Sequence, residues 1–355
     1  MPSTSTGAQG PALSLVLPES GGGYTLASRH LDQPLAHLSP TATICGLIAD
    51  LAQGFCDDLP GGLGLHCAAF RFGAGPLILL TGGHRAGKST LIAHLALREG
   101  VEVFGDDVLP LSAKGDAIAL GAAPRLRLPL PETLGPTARD RILLADTRYA
   151  YLRPLRLAPH GTAARPGVLI ALEREEGASP SLHPMPKDQA VALLLRQSIT
   201  ALPEPEQALA QAEALVAGMT CLTLRLGCPD AAASFLAQCF GPGAPPLATD
   251  RLPALPPKTK GMAPPAPDQP FVRATGFTRR RIQTGLFLWH PEESMLWHLN
   301  GLAHALWLML DTPATATELA ADLAAVFPQT QTDQITTDLA AFLAEAQENG
   351  LIHPA

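Results

Sequence analysis

Charge is what the 355-residue chain is short of: 16% of residues are charged, and acidic residues outnumber basic ones to give a formal net charge of −7. A basic field that would hold phosphate backbones or an anionic membrane surface is therefore missing, which excludes bulk nucleic-acid binding. No apolar run approaches the roughly 18–20 residues of a membrane span. The opening MPSTSTGAQGPALSL has no basic stretch ahead of an apolar one, so no membrane partner and a cytoplasmic location are expected. Six cysteines (Cys45, Cys56, Cys67, Cys221, Cys228, Cys239) form no C-x-x-C pair; zinc-ligand spacing and a disulfide scaffold are both excluded, and the thiols read as small buried hydrophobes.

What the chain has in excess is apolar residues, 46% of the total, and proline, 35 residues of which ten fall within 242–270. The first rules out disorder throughout. The second marks an extended, polyproline-biased tether, because each proline fixes φ and removes a donor. All three tryptophans (Trp289, Trp297, Trp307) lie beyond it. The expected organisation is a domain over 1–241, a linker over 242–270 and a small domain over 271–355.

In the larger part, Leu65–Phe72 and Pro76–Thr81 read as strands around Gly73-Ala-Gly75, followed by a helix over Ser89–Arg98 with Leu91, Leu95 and Ala96 on one face. Val101–Phe104 reads as the next strand, which gives an α/β arrangement. Val168–Leu172 and Cys221–Leu226 are further strands, Lys187–Ile199 and Pro205–Gly218 helices, and 110–165 has no assignable pattern. In the smaller part, Ile282–Trp289 and Met295–Leu299 flank HPEES as a hairpin, and three helical segments follow. Thr315/Glu318 and Thr330/Asp333 have capping-box spacing. Ile335, Leu339, Phe342, Leu343 and Ala346 recur at helical spacing up to Gly350.

The chemistry is concentrated in residues 82–89, GGHRAGKS, which fit G-x-x-x-x-G-K-S/T. In such a loop, successive backbone N–H groups face a phosphate and the following helix adds its dipole. Gly82, Gly83, His84, Arg85, Ala86, Gly87, Lys88, Ser89 and Thr90 would line the nucleotide, His84 and Arg85 with side chains toward solvent. Lys88 would neutralise the β/γ-phosphates of ATP and the Ser89 hydroxyl would ligate Mg²⁺. One of only five lysines stands at the required position. Asp106 and Asp107 close the next strand, expected beside the loop in a parallel sheet. One would hold Mg²⁺ and the other accept a proton from an attacking hydroxyl.

The order LHCAAF, GGHRAGKSTL, GVEVFGDDVLPL resembles the catalytic core of the HPr kinase/phosphorylase superfamily, in particular its smaller relatives found with peptide-modifying systems. The resemblance is clearest over 60–130. It implies a P-loop kinase domain of the HPr-kinase type and carries His66 over as an active-site residue near the γ-phosphate. The stretch GAAPRLRLPLPE has no glutamate before Glu132, whereas phosphorylase activity in the family accompanies a glutamate there. Its Pro124-Arg-Leu-Arg127-Leu is similar to a P-x-L-R-L segment in the smaller relatives. Arg127, with Arg125 and Arg148 as alternatives, would stabilise charge on the transferred group; an exposed strand arginine is the other reading.

MLWHLNGLAHALWLMLDTPATATELAADL and DLAAFLAEAQENGLI resemble the PqqD-like peptide-recognition fold, a small α+β, winged-helix-like domain. That resemblance implies capture of a precursor leader peptide or small protein between a strand edge and the last helix. Two readings follow: an ATP-dependent serine/threonine-type peptide kinase, or an ATP-gated peptide-binding chaperone that transfers no phosphate. A small-molecule hydroxyl acceptor and a homo-oligomeric assembly both stay open.

Overall fold

The computed structural model describes residues 14–83, 86–200, 204–255, 268–291 and 295–355. It is a mixed α/β structure in two compact units. One comprises Met1–Met185, Leu193–Leu202 and Ala214–Ala254, and the other Pro186–Ala192, Pro203–Glu213 and Leu255–Ala355. The helices Lys187–Arg196 and Pro205–Ala217 straddle this division.

The first unit is built on a six-stranded sheet in the order Ser181–Pro184, Thr220–Leu226, Pro166–Arg174, Leu77–Thr81, Ala68–Phe72, Val101–Gly105. Pro166–Arg174 pairs in parallel with both its neighbours, and the remaining pairs are antiparallel. Leu77–Thr81 is buried along its whole length, as a strand covered on both faces must be. The expected adjacency of Val101–Gly105 to the loop strand is corrected here, since Ala68–Phe72 lies between them. Nor does a single strand run from Leu65 to Phe72. His66 donates its backbone N–H to Gln197 O at 2.7 Å and Cys67 to Leu65 O, which separates Leu63–Leu65 from Ala68–Phe72.

Helix Lys88–Ala96 is buried over Leu91–Ala96 rather than along one stripe. Sheet residues cover one side of it, and the helix Pro229–Phe240 packs on it as well. Within 110–165 the chain folds into short strands, among them the three-stranded sheet Arg125–Arg127, Tyr149–Leu152, Ile142–Ala145. The proline-rich stretch is not extended throughout. Thr249–Arg251 makes a 3-10 turn, Leu247 and Leu252 pack against the sheet core, and Pro253 O bonds His183 Nδ1 at 2.9 Å; its part over 256–267 lies outside the described residues. All six cysteines are free. Cys56, Cys67 and Cys221 are buried as expected, but Cys45 and Cys239 are half-buried and Cys228 is exposed.

The second unit holds a meander of Thr278–Ile282, Gly285–Trp289 and Leu296–Leu299. Ile282 therefore ends a strand of its own, and the tip of the expected HPEES turn, 292–294, lies outside the described residues. Helices Gly301–Met309, Ala316–Val326 and Thr332–Glu348 follow. Thr315 and Glu318 form the capping box. Thr330 and Asp333 do not, because Gln331 is the N-cap residue and no side chain caps that helix. Ile335, Leu339, Leu343 and Ala346 are buried with Trp307 and Leu288, while Phe342 packs at the edge of that cluster. The first turn of Lys187–Arg196 belongs here too: Asp188, 1% exposed, pairs with His298 Nε2 at 3.0 Å, and Gln283 Oε1 accepts from Lys187 N.

Candidate functional site

Strand Leu77–Thr81 leads through Gly82 and Gly83 into the helix that starts at Lys88. Gly87, the N-cap residue, has φ +94°, and a Cβ there or on Gly83 would meet nothing within 4 Å. Both positions face open space, and at Gly87 it is the positive φ that favours glycine. No side chain among the described residues caps the helix, leaving its first-turn N–H groups for an anion. Lys88 Nζ donates to Gly82 O at 3.0 Å, which folds the ammonium back over the loop. His84 and Arg85 lie outside the described residues.

Asp106 and Asp107 follow the end of Val101–Gly105 and do different things. Asp106 accepts from Ser89 Oγ at 3.3 Å and from Arg125 N at 3.3 Å. Burial, and then the adjacent Asp107 charge, push its carboxyl up to about 6. Asp107 sits 3.2 Å from His66 Nε2 and also pairs with the Arg125 guanidinium. The His66 hydrogen bond, with help from Arg125, holds its carboxyl below the usual range. Asp107 also has φ +79°, a left-handed conformation that costs a non-glycine residue energy and gathers at functional sites. Lys88 is pushed down by burial, against the pull of both aspartates. Burial raises Cys67 to about 12, so that thiol is inert at neutral pH.

These residues open on a cleft of about 440 Å³. His66, Ala86, Gly87, Lys88, Ser89, Thr90, Asp107 and Arg127 all line it. Arg127 is exposed on the cleft wall, while Arg125 carries the contacts to the acid pair. Arg174, at the end of the central strand, and Tyr149 also line the cleft. Sequence reasoning missed both, since neither lies in a local motif. Arg148 stacks over Tyr149 at 5.6 Å.

The donor set fits a nucleotide with a hard divalent ion. A serine hydroxyl beside a carboxylate offers oxygen ligands of the kind Mg²⁺ takes, next to an uncapped helix start and a lysine. Thr81 Oγ1, at the strand end before the loop, is buried without a hydrogen-bond partner among the described residues. No cluster of three or more His, Cys, Asp or Glu suited to a metal occurs among the described residues. Any ion here would thus draw further ligands from phosphate and water.

The second unit has its own cavity, about 570 Å³, between the three helices, with Leu302, Leu306, Leu323 and Phe342 among its apolar walls and Asp338 and Glu345 at its polar ones. Its meander leaves Leu296–Leu299 as an edge strand. Residues 285–352 match the family model described as coenzyme PQQ synthesis protein D (PqqD). The C-terminal part is thus a PqqD-like domain, which suggests peptide recognition in the modification of ribosomally made peptides. No curated protein matches the chain. No helix among the described residues is long and apolar enough to cross a membrane.

Proposed function

We propose that the chain is an ATP-dependent kinase of the HPr-kinase-like, P-loop type. It transfers the γ-phosphoryl group to a serine or threonine hydroxyl of a ribosomally made peptide or small protein that the PqqD-like domain captures. The observation that carries this reading is the convergence of the Ser89–Asp106 contact and the His66–Asp107–Arg125 cluster on one cleft beside the glycine loop.

Ser89 with Asp106 would hold Mg²⁺, which when bound would offset the phosphate charge. Lys88 and the helix start bind the phosphates. Asp107 takes the acceptor's hydroxyl proton, while His66 and Arg125 fix the carboxylate's orientation. As the acceptor oxygen bonds to Pγ, the bond from Pγ to the bridging oxygen breaks and ADP leaves with that oxygen. Arg127 and Arg174 face the transferred charge from the cleft wall.

The test is transfer from ATP·Mg²⁺ to serine and threonine peptides, read as phosphopeptide by mass spectrometry together with ADP release. Asp107→Asn is expected to lower kcat about 10²–10⁴-fold with ATP affinity kept. Transfer at the parental rate would remove Asp107 from the chemistry. The PqqD match also favours a second reading, an ATP-gated peptide chaperone. That predicts peptide affinity that shifts with nucleotide and no phosphopeptide. Transfer to small alcohols but to no peptide would point to a small-molecule kinase instead.

A further inference from the structure

A second cavity in the first unit, about 620 Å³, is lined in part by Leu144 and Tyr151 of the three-stranded sheet whose Arg125–Arg127 strand borders the cleft. In the antiparallel pairing of Arg125–Arg127 with Tyr149–Leu152, Arg125 faces Tyr151 and Arg127 faces Tyr149. Leu144 of the neighbouring strand also faces Tyr151. Directly paired residues project from the same side of a sheet, and residues two apart along a strand share that side. Leu126, Ala150 and Leu152, at most 2% exposed, take the opposite side in the core. One face thus runs from Arg127 and Tyr149, which line the phosphate cleft, through Arg125 to Tyr151 and Leu144, which line the second cavity. Arg125 marks the border, with its guanidinium on Asp107 and on Cys45 Sγ of the helix Pro40–Asp57.

Beyond that border the walls turn apolar. Ile44, Ile48, Leu51 and Phe55 of the helix close one side and Leu143 the other. Ile44, Leu51 and Leu143 are 41%, 56% and 48% exposed, a grouping of solvated aliphatic side chains that a folded chain gains by covering. We propose that this groove seats an apolar segment of the acceptor polypeptide, next to the residue that receives the phosphate. The inference rests on the kinase reading and deepens it. An acceptor hydroxyl at Asp107 puts the adjoining residues over Arg125 and toward the apolar wall, because Arg125 of the cleft and Tyr151 of the second cavity are directly paired across the strands. The cavity has room for more than one large side chain, and the PqqD-like domain makes the acceptor a polypeptide rather than a lipid. The selected substrate therefore has leucine, isoleucine, valine or an aromatic residue within a few positions of its serine or threonine.

The test uses the full chain and a synthetic serine peptide flanked by leucine and phenylalanine, one leucine replaced by a diazirine photo-crosslinking analogue. Cross-links are expected on 44–55 and 143–144. They should fall at least about tenfold in I44Q/L143Q, whose altered side chains are solvated in the parent, and should not fall in L155Q, an exposed site outside the groove. Competition by the unlabelled leucine peptide, but not by one with glutamine flanks, is the matching expectation. Cross-links elsewhere, or ones that I44Q/L143Q leaves unchanged, overturn the groove. Labelling of the groove with no phosphate on the serine under ATP·Mg²⁺ supports the groove and removes the kinase reading. Phosphate on the serine with labels elsewhere does the reverse.

Discussion

The cleft beside the glycine loop and the core of the PqqD-like domain are assembled from different materials. In the cleft, Asp106, Asp107, His66 and Arg125 meet through hydrogen bonds and ion pairs, two of them carboxylates with opposed shifts, and Lys88 bonds the Gly82 carbonyl of the loop. In the C-terminal unit, Phe271, Leu288, Trp307, Leu339 and Leu343 belong to one buried apolar cluster. Charges gathered in a half-buried site are costly and specific, while apolar side chains are stabilising and interchangeable. On the proposed reading, the cleft should therefore lose its chemistry without losing its fold, and the C-terminal core should behave the other way round.

The largest effect is expected from Trp307→Ala. The indole is 3% exposed, donates to Leu351 O at 3.0 Å and lies under Arg273, 4.8 Å from the ring centre. Its removal should cost the C-terminal unit about 3–5 kcal/mol, read as lost hydrogen-exchange protection in Gly301–Met309 and Thr332–Glu348. ATP binding should persist. Protection unchanged from the parent would show that the cluster is not what holds this unit.

Lys88→Ala is the converse test, and the next in size. Removing the ammonium should weaken ATP·Mg²⁺ binding or transfer by ~100-fold or more, about 3 kcal/mol, since a phosphate seated there loses a charge-assisted partner. The melting temperature should move little, because the one hydrogen bond lost is to the Gly82 carbonyl. A large fall in stability with ATP affinity kept would mean that the lysine is a structural clasp and would erase the contrast.

The two regions also differ in how far the sequence discloses them. The glycine loop is a local string whose strand and helix adjoin it, so those two elements, and the strand that ends before the acid pair, are legible. In the C-terminal unit, helical spacing and the Thr315/Glu318 box were legible for the same reason. What was not legible depends on pairing at a distance. The insertion of Ala68–Phe72 between the loop strand and the strand before Asp106 is decided by sheet hydrogen bonds, and composition carries no trace of them. The strands of 110–165 are two to four residues long, too short for a period to show. Arg125 was a weaker candidate than Arg127 because their common strand allows either to face the acids; only register and the Cys45 and Asp107 contacts distinguish them. Arg174 had no motif at all. The proline-rich stretch misled in its first half, because prolines set φ but leave Leu247 and Leu252 free to pack.

The smallest effect, and the sharpest test of the contrast, is the pH dependence of Asp106→Asn in metal-free buffer. Asp106 is raised from 3.8 to about 6, first by burial and then by the Asp107 charge. A native pKa above the unfolded one means that the folded chain binds more protons between those values, so this group's contribution to stability falls as pH rises from about 4 through 6. Above that window the folded chain carries the full penalty of a desolvated anion. Ser89 Oγ and Arg125 N donate to different oxygens of Asp106; asparagine removes the charge and keeps one of these oxygens, which can accept from Arg125 N while the amide NH2 faces Ser89 Oγ. The variant should therefore gain stability relative to the parent as pH rises from about 4 to 7.5, while losing Mg²⁺-dependent transfer. Asp107→Asn should show the opposite sign. Its carboxylate is held low by His66 and Arg125, so the parent's advantage over that variant is present at neutral pH and lost as pH falls below the ordinary carboxylate range. Denaturant midpoints from about pH 2 to 8 check both, the Asp107 change falling at the acid end. Parallel curves for the two variants would mean that the acids are solvated equivalents, and that the division of labour between Mg²⁺ holder and proton acceptor has no electrostatic basis.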